Sequence, residues 1–492
     1  MKGTPDDTPP ASLTQRTVRG VAWTLPTSLG SRVIGLVGTL LLARFLAPAE
    51  FGEVSAAAIV TVTAFSLTTF GVGIYLVSHR ELTRAEAFHA TIWFLATGIA
   101  AMAGVWALSG PLGRWVEAPN LDRFMPVFVG SVLLDRVTFL PERMLIRKLR
   151  FRWLSLARAA GELTYTGVSL TLAVLGVGAM AIAWGNLARS VLRFVAIVPA
   201  VQWREWLEPH RLRLATMFKI VAYGVNVSVA SIATFAMRRW DNLLVSRYFG
   251  PAAMGAYNYA YNLADTPAVA IGEPMSDVVG ASFPHADPHR RAAALVQSCT
   301  MVSLIMFPLA FGLGAVAETV VQAFFNQKWA GVGTMLVYLS VLSAPRPMAH
   351  ILHSYFFSCQ RPRVVLYLEW AALTAIIVSI ATIGRLGIDW TCGAVGSVFV
   401  LRTLAAFWTA QYLDKIPMRS FLVPLLRPLL ACVAMVAAIL AARPALLGLS
   451  PAIRLVAEVG VGAVVYGIGA LLIFRPAARE FFGLLRTALV RR

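Results

Sequence analysis

The nonapeptides RFLAPAEFG (Arg44–Gly52) and RYFGPAAMG (Arg247–Gly255) both read Arg-x3-Pro-x3-Gly and stand 203 residues apart. Each ends one long apolar run and opens the next, where proline sets the first turn of a helix and needs no backbone donor. A second, weaker echo follows the same logic: Arg193 precedes Gln202-Trp203 by the interval that separates Arg402 from Gln411-Tyr412. A self-match at a fixed offset is the signature of an internal repeat. Apolar runs of about 20 residues, the length that crosses a bilayer, fall near 20–46, 51–77, 87–108, 124–142, 154–175, 178–199, 216–240, 252–280, 292–315, 331–356, 363–384, 389–412, 422–442 and 452–474. Six spans separate the two copies of the motif. The halves therefore share one orientation and are related by an axis along the membrane normal.

This reading predicts an all-α, polytopic membrane protein of about 14 transmembrane helices, with two parallel six-helix lobes and two C-terminal helices around a central cavity. The expected segments are a tail at 1–19, lobes at 20–201 and 216–412, an amphipathic linker at 202–215, an appended helix pair at 413–474 and a basic tail at 475–492. Composition agrees: 58% of the 492 residues are hydrophobic and 14% charged, with a mean hydropathy of +0.70, too apolar for a water-soluble surface. Residues 1–20 lack the apolar core of a secretory signal, so the first span is expected to act as the insertion signal.

The formal charge of +19 is distributed by topology. One set of gaps holds Arg16, Arg19, Arg80, Arg84, the run Arg143, Arg147, Lys148, Arg150 and Arg152, then Arg204, Arg211, Arg213 and Lys219, and further basic residues through Arg475–Arg492. The other set holds only Arg44, Arg114, Arg123, Arg247, Lys328, Arg385, Arg443 and Arg454. The positive-inside rule then places both termini in the cytoplasm of a bacterial inner membrane and requires an even number of spans. Basic residues confined to short gaps do not form the continuous patch that nucleic acid needs. Cys299, Cys359, Cys392 and Cys432 are single and lack metal-ligand spacing; they read as packing residues. His285 and His289 flank Pro288 in a loop and do not make a metal site. The sequence WREWLEPHRLRL (203–214) has the pattern of an amphipathic segment lying on the membrane surface. No DxD motif, P-loop or long loop is present to support a membrane enzyme, so a transporter is expected.

Three stretches carry a family resemblance: LLARFLAPAEFGEVSAAAIV (41–60), FAMRRWDNLLVSRYFGPAAMGAYNYAYNLADTPAVAI (235–271) and RMLIRKLRFRWLSLARAAGELTYTGVSLTLAVLGVGAMAIAWG (143–185). Together they resemble polysaccharide-type flippases of the multidrug/oligosaccharidyl-lipid/polysaccharide exporter superfamily, close to the Wzx-type colanic-acid and exopolysaccharide branch. The resemblance implies a substrate of undecaprenyl-diphosphate-linked oligosaccharide, moved to the periplasmic leaflet by alternating access. It also implies membrane lipids as surroundings, a polysaccharide polymerase and chain-length machinery as candidate partners, a monomer, and no cofactor. Two readings from the same superfamily stand beside it: a lipid II-type flippase and a cation-coupled multidrug antiporter. Arg346, between Pro345 and Pro347, departs from the apolar or small residues expected there.

Ionisable residues within spans are functional candidates by default. Arginine suits a diphosphate because its planar fork gives paired hydrogen bonds and keeps its charge. The candidate substrate-binding residues are Arg32, Arg136, Arg189, Arg193, Arg239, Arg346 and Arg402. Arg189 and Arg193, four apart, share a helix face. Asp135 is the expected partner of Arg136 and Asp241 of Arg239, which would make those two arginines structural; Arg32 and Arg346 have no acid nearby in sequence and are expected to line the cavity. Asp265, Glu273, Asp277 and Glu369 are candidates for coupling to H+ or Na+, or mark kinks with acids at a wet interface, since Pro267 and Pro274 break helix bonding beside them. Pro26 is a candidate bend in the first span. His350 and His353 are cavity or core residues, and Tyr257, Tyr259 and Tyr261 fan across the faces of one helix.

Overall fold

The computed structural model describes residues 30, 34, 35, 37–78, 82–148, 150–283 and 288–473, and all regular structure among them is helical. Ten helices in this set are long and apolar enough to cross a membrane. About half of the expected span at 20–46 lies outside the described residues. The expected spans at 154–175, 216–240 and 252–280 are helical too, within Phe151–Val174 and Leu214–Ser282, but carry more polar residues. Large apolar side chains such as Val456, Leu472 and Val195 are exposed, as a lipid-facing surface requires.

Two compact units divide the chain. The first comprises the described residues up to Thr39, Val60–Leu108 and Arg123–Ser228; the second comprises Leu40–Ile59, Ser109–Asp122 and Val229 onward.

The first unit takes the end of α1 (Pro48–Leu67) from Val60 onward, then α2 (Val72–Ser78), α3 (Arg84–Ala107), α5 (Leu121–Arg147), α6 (Phe151–Val174), α7 (Met180–Ile197) and the start of α8 (Leu214–Ser282), α4 being the short Ser109–Trp115 helix of the second unit. α3 begins with a capping box: the Thr83 hydroxyl accepts from the Glu86 amide while the Glu86 carboxylate accepts from the Thr83 amide. The second expected span is broken between α1 and α2, at Thr68–Gly71, where Phe70 and Gly71 have φ of 42° and 64°. Gly71 meets Gly224 so closely that a Cβ on either would lie within 2.6 Å of the other's backbone carbon. The α6–α7 turn passes through Gly176 and Gly178, with φ of 79° and 68°, a conformation glycine adopts without strain. α6 and α7 then pack as a close pair, Gly185 lying against Tyr165 and Ser169; small residues let membrane helices approach where lipid supplies no hydrophobic drive. The segment 203–213, the expected amphipathic linker, is mostly irregular. Only Trp203–Glu205 forms a helical turn. Trp206 is buried among Leu154, Ile197 and Ile220, Lys148 and Arg84 pair with Glu205 and Glu208 at 2.6 and 2.9 Å, and the Arg213 amide donates to His89 Nε2 at 2.8 Å. Its two acids are thus paired with basic residues of the first unit, on which the segment packs as a strap.

The second unit contains the rest of α8 (Leu214–Ser282, broken at Gly250, φ 80°), followed by α9 (Pro288–Ala315), α10 (Ala317–Phe324), α11 (Gly331–Ser343), α12 (Arg346–Ser358), α13 (Pro362–Thr382), α14 (Ile388–Asp414), α15 (Met418–Leu446) and α16 (Pro451–Ile473). The expected tenth span is thus two helices: Ala344 and Pro345 interrupt it, and Arg346 opens the second piece. Both copies of the nonapeptide belong to this unit, and they touch each other reciprocally. A Cβ on Gly52 would stand 2.7 Å from the Pro251 carbonyl carbon and 3.1 Å from the Gly255 nitrogen; a Cβ on Gly255 would stand 2.9 Å from the Pro48 carbonyl carbon and 3.2 Å from the Gly52 nitrogen. The repeat in sequence is a two-fold contact in space, and only glycine at the eighth residue after each arginine permits it. Around it Trp329 Nε1 donates to Ala43 O and Asn326 Nδ2 to Arg44 O, both at 2.9 Å, while Phe51 stacks on Tyr259 at 4.2 Å. Ser246 Oγ donates to Val116 O at 2.6 Å, and Arg247 pairs with Glu117 at 2.6 Å.

Candidate functional site

Among the described residues, membrane-embedded charges gather in a cluster in each unit, and Arg443, Arg454 and Glu458 make a separate ion-paired group in the second. In the first, α5 contributes Asp135 and Glu142, α6 contributes Arg158 and Glu162, and α7 contributes Arg189 and Arg193. Asp135 and Glu142 are seven residues apart and Arg189 and Arg193 four apart, so each pair lies on one helix face. Arg193 reaches Glu142 at 2.7 Å and Asp135 at 3.3 Å, Arg189 reaches Glu162 at 3.3 Å, and Arg158 binds the other oxygen of Glu142. Gly161 makes the room: a Cβ there would be 3.3 Å from both the Arg189 and Arg193 side chains. The arginines remain accessible, the side chains of Arg158, Arg189 and Arg193 being 49%, 29% and 23% exposed, whereas Glu142 is 6% exposed.

The second cluster is closed. Arg346 pairs with Asp265 at 3.0 Å, donates to the Tyr261 hydroxyl and lies 3.9 Å from the Phe399 ring centroid, with its side chain 5% exposed. Arg402 pairs with Glu369, itself fully buried. His353 Nε2 stands 2.9 Å from the same Glu369 oxygen and 3.1 Å from Arg402, so a protonated Nε2 donates to the carboxylate and a bare one accepts from the guanidinium. Arg238 lies 3.2 Å from His350 Nε2, and Asp241 accepts from Tyr257 at 2.8 Å and from the Asn242 amide at 2.9 Å.

Several expectations change. Arg346 does not line an open cavity here; Asp265, brought in from α8, neutralises it. Asp265 and Glu369, candidates for ion coupling, are each held by an arginine. Asp135 does not serve Arg136, nor does Asp241 serve Arg239, because helix residues one and two apart point about 100° and 200° away from each other. Arg136 is fully enclosed and caps the break in the second span: it donates to Phe94 O at 2.7 Å, to Phe65 O at 3.2 Å and to the Thr68 hydroxyl, between the rings of Phe65 and Phe94. Arg239 is half-buried and forms no ion pair with a described residue. Arg32, Pro26 and His285 lie outside the described residues, as do the side chains of Glu273, Asp277 and His289. Tyr257 and Tyr261 face the charged cluster while Tyr259 faces Phe51 and Trp329, the fan that alternate helix positions impose. The sequence reading missed Arg158 and Glu142, which lie toward the ends of their spans; the i, i+4 spacing of Arg158 and Glu162 was the available signal. Two cavities, of about 990 and 470 Å³, are lined by apolar groups such as Trp184, Val191 and Val195, or Phe307, Leu342 and Phe407. They suit hydrocarbon, not an anionic head.

Residues 41–333 match the model of a family described as polysaccharide biosynthesis protein. The chain belongs to that family. Its relatives include the succinoglycan biosynthesis transport protein ExoT of Rhizobium meliloti, 25% identical over 95% of each chain, and the lipopolysaccharide biosynthesis protein WzxC of Escherichia coli, 22% identical over 71% of each. Among solved structures, the lipid II flippase MurJ in an inward closed conformation superposes with a TM-score of 0.75 at 15% identity, covering 93% of this chain and 99% of that one. An inward-facing MATE-family transporter of the MOP superfamily gives 0.62 at 14% identity, over 81% and 98%. These last two likenesses establish the fold. The chain is a multi-pass membrane protein of this polysaccharide-biosynthesis family, and its likeness is to transport proteins and not to enzymes.

Proposed function

We propose that the protein moves an undecaprenyl-diphosphate-linked oligosaccharide repeat unit from the cytoplasmic to the periplasmic leaflet of the inner membrane. The observation that carries this reading is the accessible arginine cluster of the first unit. A strongly hydrated diphosphate cannot enter hydrocarbon unaided, and Arg158, Arg189 and Arg193 offer convergent, permanently charged forks on two packed helices. Arg346 and Arg402 are enclosed with their carboxylates and come second as ligands. On this reading both termini are cytoplasmic, the two six-helix lobes at 20–201 and 216–412 rock about the cavity, and the Pro48/Gly255–Pro251/Gly52 crossing on the arginine-poor side parts to release the head. A monomer suffices, and a polysaccharide polymerase with its chain-length machinery receives the product. H+ or Na+ coupling falls to Glu369 and Asp265, whose release from arginine would accompany the change of state.

The test is transbilayer movement of a fluorescent undecaprenyl-diphosphate oligosaccharide in liposomes. Arg189→Gln with Arg193→Gln, at matched insertion, is expected to slow movement by ~100-fold, the loss of two charge-assisted contacts. Wild-type rates in that double variant would remove the cluster from the pathway.

A further inference from the structure

Glu142 holds two arginines with one carboxylate: one oxygen binds Arg158 and the other lies 2.7 Å from Arg193. The acid is buried while both guanidinium groups reach the open side of the cluster. Two forks bridged by one anion is also the arrangement a phosphate would adopt there. We propose, building on the functional reading above, that Glu142 is a specificity-determining residue: an internal stand-in for the anion that reserves Arg158 and Arg193 for a diphosphate and denies them to single-phosphate lipids.

A membrane presents its proteins with a large excess of singly phosphorylated headgroups, and an unoccupied pair of accessible arginines would collect them. A phosphodiester brings one negative charge, the same as the carboxylate it must displace. It gains nothing by charge and strands Glu142, buried and unpaired, which is costly. A diphosphate brings about two charges and more oxygens. It can engage Arg158 and Arg193 and extend to Arg189, which stands one turn from Arg193 on α7, 3.3 Å from the more exposed Glu162. Displacement of Glu142 is then offset only by the longer anion. This is discrimination by a built-in competitor, in which the cost of the wrong ligand is a desolvated, unpaired charge. Glu162 and Asp135 do not serve the same purpose, because each touches one arginine at 3.3 Å and is itself partly exposed.

The experiment is native mass spectrometry of the full-length protein in detergent micelles, titrated separately with a glycosyl undecaprenyl diphosphate and a glycosyl undecaprenyl monophosphate of the same sugar, the latter a phosphodiester of one negative charge. Wild type is expected to prefer the diphosphate by about tenfold or more, the worth of one additional charge-assisted contact. Glu142→Gln is expected to bring the two affinities within about threefold, chiefly by tightening the monophosphate. Arg158→Gln, at a half-exposed position that tolerates change, should reduce the preference from the other side by weakening the diphosphate alone. A wild-type ratio in both variants overturns the role of Glu142 while leaving the flippase reading intact. Equal binding of both lipids by the wild type also overturns it. Failure of the wild type to bind either lipid overturns the diphosphate site itself.

Discussion

Replacing Gly52 by alanine tests the reciprocal contact between the two nonapeptides. The new Cβ would meet the Pro251 carbonyl carbon at 2.7 Å and the Gly255 nitrogen at 3.1 Å, whereas carbon atoms pack best at about 3.5–4.0 Å. The two backbones must therefore part by about 1 Å. Overpacking costs about 1–3 kcal/mol where side chains can shift; here the obstacle is main chain on both sides, so the upper figure applies. About 3 kcal/mol weights the parted state ~100-fold relative to the closed one. The assay is modification by a membrane-impermeant maleimide of a cysteine placed at Ser246, a fully buried position whose hydroxyl donates to Val116 O beside the contact, in a background lacking the four native cysteines. Gly52→Ala and Gly255→Ala are each expected to accelerate labelling by ~100-fold, and equally, because the contact is two-fold. Thr39→Ala, outside the contact, should not. Labelling at the wild-type rate in both glycine variants would refute the claim that this crossing closes that side of the second unit.

Two further outcomes concern the clusters. Arg136→Met is expected to lower stability by about 2–5 kcal/mol, because it strands the Phe65 and Phe94 carbonyls at the break in the second span; thermal unfolding in detergent reads this, and transport per folded molecule should be unchanged, since Arg136 is fully enclosed. Glu369→Gln or Arg402→Gln alone is expected to cost about 3–5 kcal/mol by leaving a buried charge unpaired, and the double variant less than the sum by about 2 kcal/mol, a coupling that a double-mutant cycle measures and that additivity would deny.

Helix placement was legible because hydrocarbon makes a simple demand. A backbone in lipid must satisfy its own hydrogen bonds, so apolar length and basic flanks locate the spans even where no tertiary contact is known. The repeat was legible for a related reason: Pro48 and Pro251 each begin a helix, and Gly52 and Gly255 each sit where two backbones touch, so backbone geometry wrote the same residues twice. The breaks were less so. Pro345 signalled the interruption before Arg346, but the one at Thr68–Gly71 carries only Gly71 as a mark, and its compensation by Arg136 depends on carbonyls far away in sequence.

The role of each arginine was not legible, because it depends on the partner and the partner comes from another helix. Arg193 meets Glu142 across 51 residues and Arg402 meets Glu369 across 33, while the sequence-adjacent acids at Asp135 and Asp241 face elsewhere. Seven arginines in apolar runs looked alike; those among the described residues separate in space by what surrounds them. Arg136, held by carbonyls and ring faces, is a cap whose donors have no cheaper use. Arg346 and Arg402, held by buried carboxylates, are closed until the surrounding helices move, since removing either partner strands a charge. Arg158, Arg189 and Arg193 are held by carboxylates at an accessible face, where an incoming anion can exchange with the resident one without opening the fold. A permanent cation in a membrane must always be paired, and its function follows from whether that pairing can be exchanged.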